Sequence, residues 1–240
     1  MSKIIKSFFF LFCSIQMFAS SILIPMDADT QKNHLKAYGI TYWVLAKQQK
    51  VQWLLNYRGG SFLLPDGESI RKECQIRGVS FEILSDAQAN SILDDISSPS
   101  KNQDAVILEK APRIAVYSPK DNQPWDDAVT MALTYAEIPY TTIYDEEVLG
   151  DKLALYDWLH LHHEDFTGQY GKFYGAYRAA PWYIEGKKNA EKLAKKLGFD
   201  KVSEEKRAVA LKIRNYVIGG GFMFAMCSAT DSFDIALAAD

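Results

Sequence analysis

The chain has 240 residues, 48% of them hydrophobic, which is enough for one large core or two small ones. Its 27 basic and 30 acidic residues leave a formal charge of −3 without any basic run, which argues against a polynucleotide or an anionic membrane as partner.

Lys3 and Lys6, an apolar run from Phe8 to Phe18, and the small residues Ala19, Ser20 and Ser21 follow one another in the order of an export signal. The run is shorter than the ~20 residues a bilayer span needs, so no membrane span is expected. Ala19 and Ser21 at the −3 and −1 positions predict cleavage before Ile22, a signal over 1–21, and a periplasmic or extracellular mature protein. Cys13 lies inside the apolar run behind the bulky Phe12, which disfavours lipid attachment. An oxidising compartment permits Cys74 and Cys227 to pair, and sequence separation leaves both a bridge and free thiols open.

Ile22 to Pro25 reads as a strand, and Thr30 to Gln48 as a helix with Leu35, Tyr38, Tyr42 and Leu45 at three- and four-residue steps. Val51 to Asn56 is a second strand, Arg58-Gly59-Gly60 a turn, Gly67 to Arg77 a helix stopped by Gly78, and Val79 to Leu84 a third strand. Ser85 or Asp86 caps a helix to Ile96. The turn formers Ser97-Ser98-Pro99-Ser100-Lys101-Asn102 then mark a boundary, which leaves a small α/β region over 22–100.

Beyond it, Arg113 to Tyr117 is a strand, Pro124 to Glu137 a helix with Trp125, Val129, Leu133 and Ala136 on one face, and Tyr140 to Tyr144 a strand. That order implies parallel strands and a right-handed crossover. Trp158 to His163 is a further strand. Glu204 to Ile218 is a helix, broken by Gly219-Gly220-Gly221 before the strand Phe222 to Met226. The expected fold over 111–240 is a doubly wound, mostly parallel α/β sheet with flavodoxin-like layering, in which ligands bind beyond the carboxyl ends of the strands.

Three segments reach that edge with chemistry to offer. Cys227 lies between a strand and a helix with Ala225 and Ala229 two residues to either side, the small-neighbour pattern of a nucleophile on a sharp strand-to-helix turn. The helix N-terminus that follows favours an anion there, and the backbone N–H of Ser228 is a donor for an oxyanion. The alternative is a buried structural cysteine. His160-Leu161-His162-His163-Glu164-Asp165 holds three of the chain's four histidines, and on a strand His160, His162 and Glu164 share one face, where they could collect zinc. The alternative there is histidines hydrogen-bonded at a strand end. From Tyr170 to Tyr183, six aromatic side chains surround Arg178; a core or interface accounts for them more simply than a cleft that stacks sugars or peptides.

The glycine run, the apolar strand, the elbow cysteine and the preceding strand-helix-strand units resemble the class I glutamine amidotransferase-like fold. More closely, His34 to Gly39 (HLKAYG), Leu54 to Phe62 (LLNYRGGSF), Tyr156 to Phe166 (YDWLHLHHEDF) and Gly219 to Asp231 resemble a family of exported bacterial proteins labelled asparagine synthetase B. The resemblance implies thiol-dependent amide hydrolysis with Cys227 as nucleophile, His163 or a histidine from further sequence as acid/base, and Ser228 as oxyanion donor. The residues argue against asparagine synthesis from ATP. No cysteine opens the chain, and Ser228-Ala229-Thr230-Asp231-Ser232 lacks both glycines of a Ser-Gly-Gly-x-Asp-Ser pyrophosphate loop. Where amidotransferases carry a glycine pair stands His162-His163-Glu164-Asp165, and no histidine follows Cys227 in the thirteen residues to Asp240, so either the triad is absent or the sequence is a fragment; the uncapped ending Ala236-Leu237-Ala238-Ala239-Asp240 favours the expectation of a C-terminal truncation. Two other functions stay open: a non-catalytic ligand-binding or envelope assembly module, and a metal-dependent hydrolase built on His160 and His162 with zinc.

Overall fold

The computed structural model describes residues 20–119 and 128–239, with backbone alone at 171 and 172. The expected signal up to residue 19, and the start of the helix expected from Pro124, lie outside the described residues. The chain divides near Glu109 into two compact units.

Among the described residues the first unit is an antiparallel sheet with three helices. Its strands are β1 (Ser20–Ile24), β2 (Val51–Leu55), β3 (Ser61–Pro65), β4 (Glu82–Ser85) and β5 (Asp104–Leu108), in the order β4-β1-β3-β2-β5. β1 and β3 are inner strands, and Ile22, Leu23, Ile24, Phe62, Leu63 and Leu64 are all buried. A continuous apolar run of that kind has no helical or alternating period, which is why Ser61 to Pro65 was not legible as a strand. β1 begins at Ser20, two residues ahead of the expected cleavage point, and Ser20 Oγ donates to Asp66. β5 pairs with β2 beyond the 97–102 loop, so the unit continues past that expected boundary.

The helices follow their local signals. α1 (His34–Ala46) starts four residues later than its apolar spacing suggests, because Asp27 to Thr30 form a turn in which Thr30 N donates to Asp27 Oδ1 at 2.9 Å. α2 (Glu68–Arg77) ends where Gly78 adopts φ +65°, and α3 (Asp86–Ile96) starts from a capping box of Ser85 with Gln88. Between β2 and β3 the chain reverses through positive φ at Asn56, Arg58, Gly59 and Gly60. Arg58 then reaches back to Asp27 at 3.0 Å and Glu82 at 2.8 Å, tying the hairpin to the ends of β1 and β4.

The second unit holds a parallel sheet of four strands: β6 (Ile114–Tyr117), β7 (Tyr140–Ile143), β8 (Trp158–Leu161) and β9 (Phe222–Ala225). Their order is β7-β6-β8-β9, so the chain steps outward to β7 and then crosses back past β6. The helices are α4 (Ala128–Ala136), α5 (Asp145–Leu149), α6 (Gly171–Tyr177), α7 (Pro181–Lys196), α8 (Val202–Ile218) and α9 (Ser228–Ala238), with a 3₁₀ turn at Lys152–Leu155. One sheet face, carrying Ala115, Tyr117, Leu159 and Leu161, shares a core with Val209, Ala210 and Ile213 of α8 and Ala229, Phe233 and Ala236 of α9. At the amino ends of the strands, Asp157 accepts from Arg113 N at 2.8 Å and Lys110 Nζ at 2.7 Å, and Asp157 N donates to Arg113 O at 2.8 Å. These bonds set the start of β8 beside the start of β6. No helix among the described residues is long and apolar enough to cross a membrane.

Gly59 and Gly78 separate two costs of adding a Cβ. Both have positive φ, but a Cβ at Gly59 would stand 2.4 Å from Met26 O, whereas at Gly78 nothing lies within 4 Å. Gly78→Ala should therefore cost about 1 kcal/mol from conformation alone, and Gly59→Ala about 3 kcal/mol or more. Urea unfolding of the two variants measures the difference; equal losses would remove the close approach to Met26 as the constraint on the turn.

Candidate functional site

Cys227 sits at the carboxyl end of β9. The strand stops at Ala225 and α9 begins at Ser228, so Met226 and Cys227 make the whole turn. The turn places Cys227 at φ +50°, ψ −137°. That conformation lies outside the regions ordinary for an L-residue and costs on the order of 1–3 kcal/mol, a strain that persists only where the surroundings impose it. Bonds to the end of β8 impose it here. Met226 N donates to Leu161 O at 3.0 Å, Ala229 N to His162 O at 3.3 Å, Ser228 Oγ to His163 O at 3.1 Å and Ser232 Oγ to Glu164 O at 2.7 Å. Ala229 is fully buried against the sheet, where a larger side chain would have no room. Cys227 and Cys74 are both free thiols; Cys227 is exposed, while Cys74 is buried in α2 and burial pushes its thiol up to about 11.

The histidine run departs from strand alternation. β8 ends at Leu161, because Glu164 turns back to accept from His162 N at 2.7 Å and bends the chain away from the sheet. His160 remains in the strand, buried, with its ring stacked on Phe224 at 5.7 Å and no hydrogen-bond partner on either ring nitrogen among the described residues. Burial first, and the nearby His162 second, lower its pKa to about 4, so the ring is neutral at pH 7. His162 and His163 stack on each other at 3.7 Å beyond the strand end. Among the described residues no three His, Cys, Asp or Glu side chains form a group able to hold a metal ion, so His160, His162 and Glu164 do not come together as the expected zinc set. The carboxylate of Glu164 is turned onto backbone and the His160 ring faces Phe224, and these two placements separate them.

His163 instead lines a cavity of about 480 Å³ at the carboxyl edge, together with Glu164 and Asp165, but Cys227 does not line it. Its walls include Tyr170, Phe173, Trp182 and Tyr183, so part of the aromatic stretch expected to fill a core or interface forms a cavity surface. On its floor stands Lys206, almost wholly buried. Lys206 Nζ donates to Asp145 Oδ2 at 2.6 Å and to the hydroxyls of Tyr117 and Tyr144 at 3.0 Å each, and Tyr117 donates in turn to Asp145 Oδ1. Burial opposes the charge on Lys206, but the oxygens of Tyr144 and Asp145 more than offset it and hold the ammonium above its ordinary pKa. Glu205, next in the chain, is fully buried, and neither of its oxygens meets a donor among the described residues. Burial, then the charge of Asp145, raises its carboxyl to about 8, so it keeps its proton at pH 7.

The sequence places Glu205 and Lys206 only within the expected helix Glu204 to Ile218, because a charged residue carries no local mark of burial. The signal that places them inside is spacing: Val202, Lys206, Val209 and Ile213 follow steps of four, three and four, and all are buried. The chain matches no family model, no curated protein and no solved structure with which it was compared.

The two thiols should differ in reactivity. Iodoacetamide at neutral pH should modify Cys227 at least about tenfold faster than Cys74 in the folded chain, read by peptide mass spectrometry. Equal rates would mean that the exposed turn confers no accessibility.

Glu205 makes stability depend on pH with a defined sign. The unfolded chain releases this proton near the usual 4.5 and the folded chain only near 8, so stability falls with rising pH between them, by up to roughly 1.4 kcal/mol per unit. Glu205→Gln should remove that slope, unfolding in urea like the parent near pH 4.5 and later than the parent at pH 8. A parallel pair of pH profiles would show that Glu205 is ionised in the folded chain.

Proposed function

We propose that the second unit carries out thiol-dependent acyl transfer, cleaving an amide or ester with Cys227 as nucleophile, in an exported protein whose domain has class I glutamine amidotransferase-like layering. The observation that carries this reading is the backbone of Cys227: a non-glycine residue at φ +50° between a strand and a helix, with its thiol exposed and Ala225 and Ala229 beside the turn. Strain concentrated at a nucleophilic side chain is the signature of a nucleophile elbow. The strand order β7-β6-β8-β9 supports the layering, since it reverses beside β6 and opens the carboxyl edge to a ligand.

In this reading the Cys227 sulfur attacks the acyl carbon, a C–S bond forms, and the amine or alcohol leaves with a proton from the acid/base group. Water then cleaves the thioester and regenerates the thiol. His163 is the candidate acid/base: its carbonyl accepts from Ser228 Oγ, which brings its backbone beside the nucleophile's turn, while its ring lines the neighbouring cavity and would have to turn toward the thiol to act. The N–H of Ser228, first in α9, is the position from which a donor meets the developing oxyanion. The reading is hydrolytic and involves no ATP. A ligand-binding module is the second reading, and the cavity beside His163 favours it because Cys227 lies outside its walls.

Acylation by p-nitrophenyl acetate tests the proposal. Wild-type chain should gain one acetyl group at Cys227 faster than free cysteine does under the same conditions, and Cys227→Ala should gain none. His163→Ala should slow acylation by about 10²–10⁴ if that side chain supplies the base. Modification of Cys227 no faster than free cysteine would leave an exposed but unactivated thiol, and the proposal would fail.

A further inference from the structure

The cavity beside His163 has the size of a small-molecule site and a polar floor whose hydrogen-bonding capacity can be counted. At about 480 Å³ it falls within the range of pockets that enclose a metabolite-sized ligand. Three cavity-lining aromatic rings stand edge to face, Phe173 with Trp182 at 5.7 Å and Trp182 with Tyr183 at 5.9 Å, and favour a flat apolar body. An anion is disfavoured. Glu146, Glu164 and Asp165 line the cavity against Lys187 and Lys206, and Lys206 is already neutralised by Asp145 at 2.6 Å. All three N–H bonds of Lys206 are engaged, on Asp145, Tyr117 and Tyr144, so it has none for a ligand.

Two hydroxyls have something to give. The Tyr144 oxygen accepts from Lys206, which polarises its O–H and leaves the proton to be donated elsewhere. The Tyr170 hydroxyl is buried with no hydrogen-bond partner among the described residues, within the fields of Glu191, Lys206, Tyr144 and Glu205. Tyr170 is also held at φ +56°, with its carbonyl accepting from the Tyr183 hydroxyl at 2.9 Å, so its position is imposed by the cavity wall. A buried hydroxyl left unpaired costs on the order of 1–3 kcal/mol, which a ligand acceptor would return.

We propose that this cavity binds a small, uncharged ring compound bearing a carbonyl group, with the ring against Phe173 and Trp182 and the carbonyl oxygen taken by the hydroxyls of Tyr144 and Tyr170. The site is separate from the thiol, so it stands whether or not Cys227 is a nucleophile.

Benzamide is the probe, titrated calorimetrically into the full chain, with benzoate as its charged counterpart. Benzamide should bind saturably with a Kd below about 10 mM, and benzoate at least about tenfold more weakly. Tyr170→Phe should weaken benzamide about five- to tenfold without lowering the thermal midpoint, since the hydroxyl it removes has no partner among the described residues. Trp182→Ala should weaken it further. Cys227→Ser should bind benzamide like the parent, which separates this site from the thiol reaction. Benzoate binding as tightly as benzamide, Tyr170→Phe binding like wild type, loss of binding in Cys227→Ser, or no saturation would each overturn the proposal.

Discussion

The buried ion pair of Lys206 with Asp145 is the interaction on which the carboxyl edge of the parallel sheet depends. It joins α8 to the start of α5, and through the hydroxyls of Tyr117 and Tyr144 it also holds the ends of β6 and β7. Removing water from two charges is costly, and the pair is sustained because all three N–H bonds of Lys206 and both oxygens of Asp145 have a partner. Losing one member would strand the other charge, at a cost typically of 3–5 kcal/mol. The neighbouring carboxyl completes the balance. One ammonium neutralises one carboxylate, and burial beside that carboxylate raises the Glu205 carboxyl to about 8, favouring its protonated form at pH 7.

That network also shapes the cavity above it. Because Lys206 spends all its donors on Asp145, Tyr117 and Tyr144, the floor offers a ligand hydroxyls instead of an unpaired charge. The walls are mostly aromatic and aliphatic. The floor thus offers polar groups that can orient a ligand beside apolar rings that can pack on it, a combination typical of small-molecule sites.

The second constraint lies at the other side of the same loop. The backbone after β8 is held twice, once by Glu164 folding back onto His162 N and once by bonds from the first turn of α9. Those bonds compensate the strained φ of Cys227 and keep its thiol exposed. Strand alternation puts His160, His162 and Glu164 on one face and His163 on the other, but the strand stops short: His160 stays with the sheet and its aromatic neighbours, Glu164 folds back onto His162 N, and His163 lines the cavity. Chain spacing carries the alternation only while the strand lasts, and a single carboxylate accepting from backbone ended it at Leu161.

The sequence by itself determined the elements whose causes are local. Gly78 ending α2, Ser85 capping α3, the strand-helix-strand order of the parallel sheet and the Cys227 turn between Ala225 and Ala229 each rest on a residue's own conformational preference or on a period of a few residues. The tertiary structure decided what depends on partners distant in the chain. β3 and β5 became strands through pairing with β1 and β2, and the Tyr170 to Tyr183 stretch became a cavity wall only once α6 and α7 were set beside α8. Glu205 and Lys206 carry the same charges in either context. Only burial against Tyr117, Tyr144 and Asp145, 60 to 90 residues away in the chain, decides that one holds a proton and the other a charge, because the desolvation that shifts a pKa is a property of surroundings assembled by the fold.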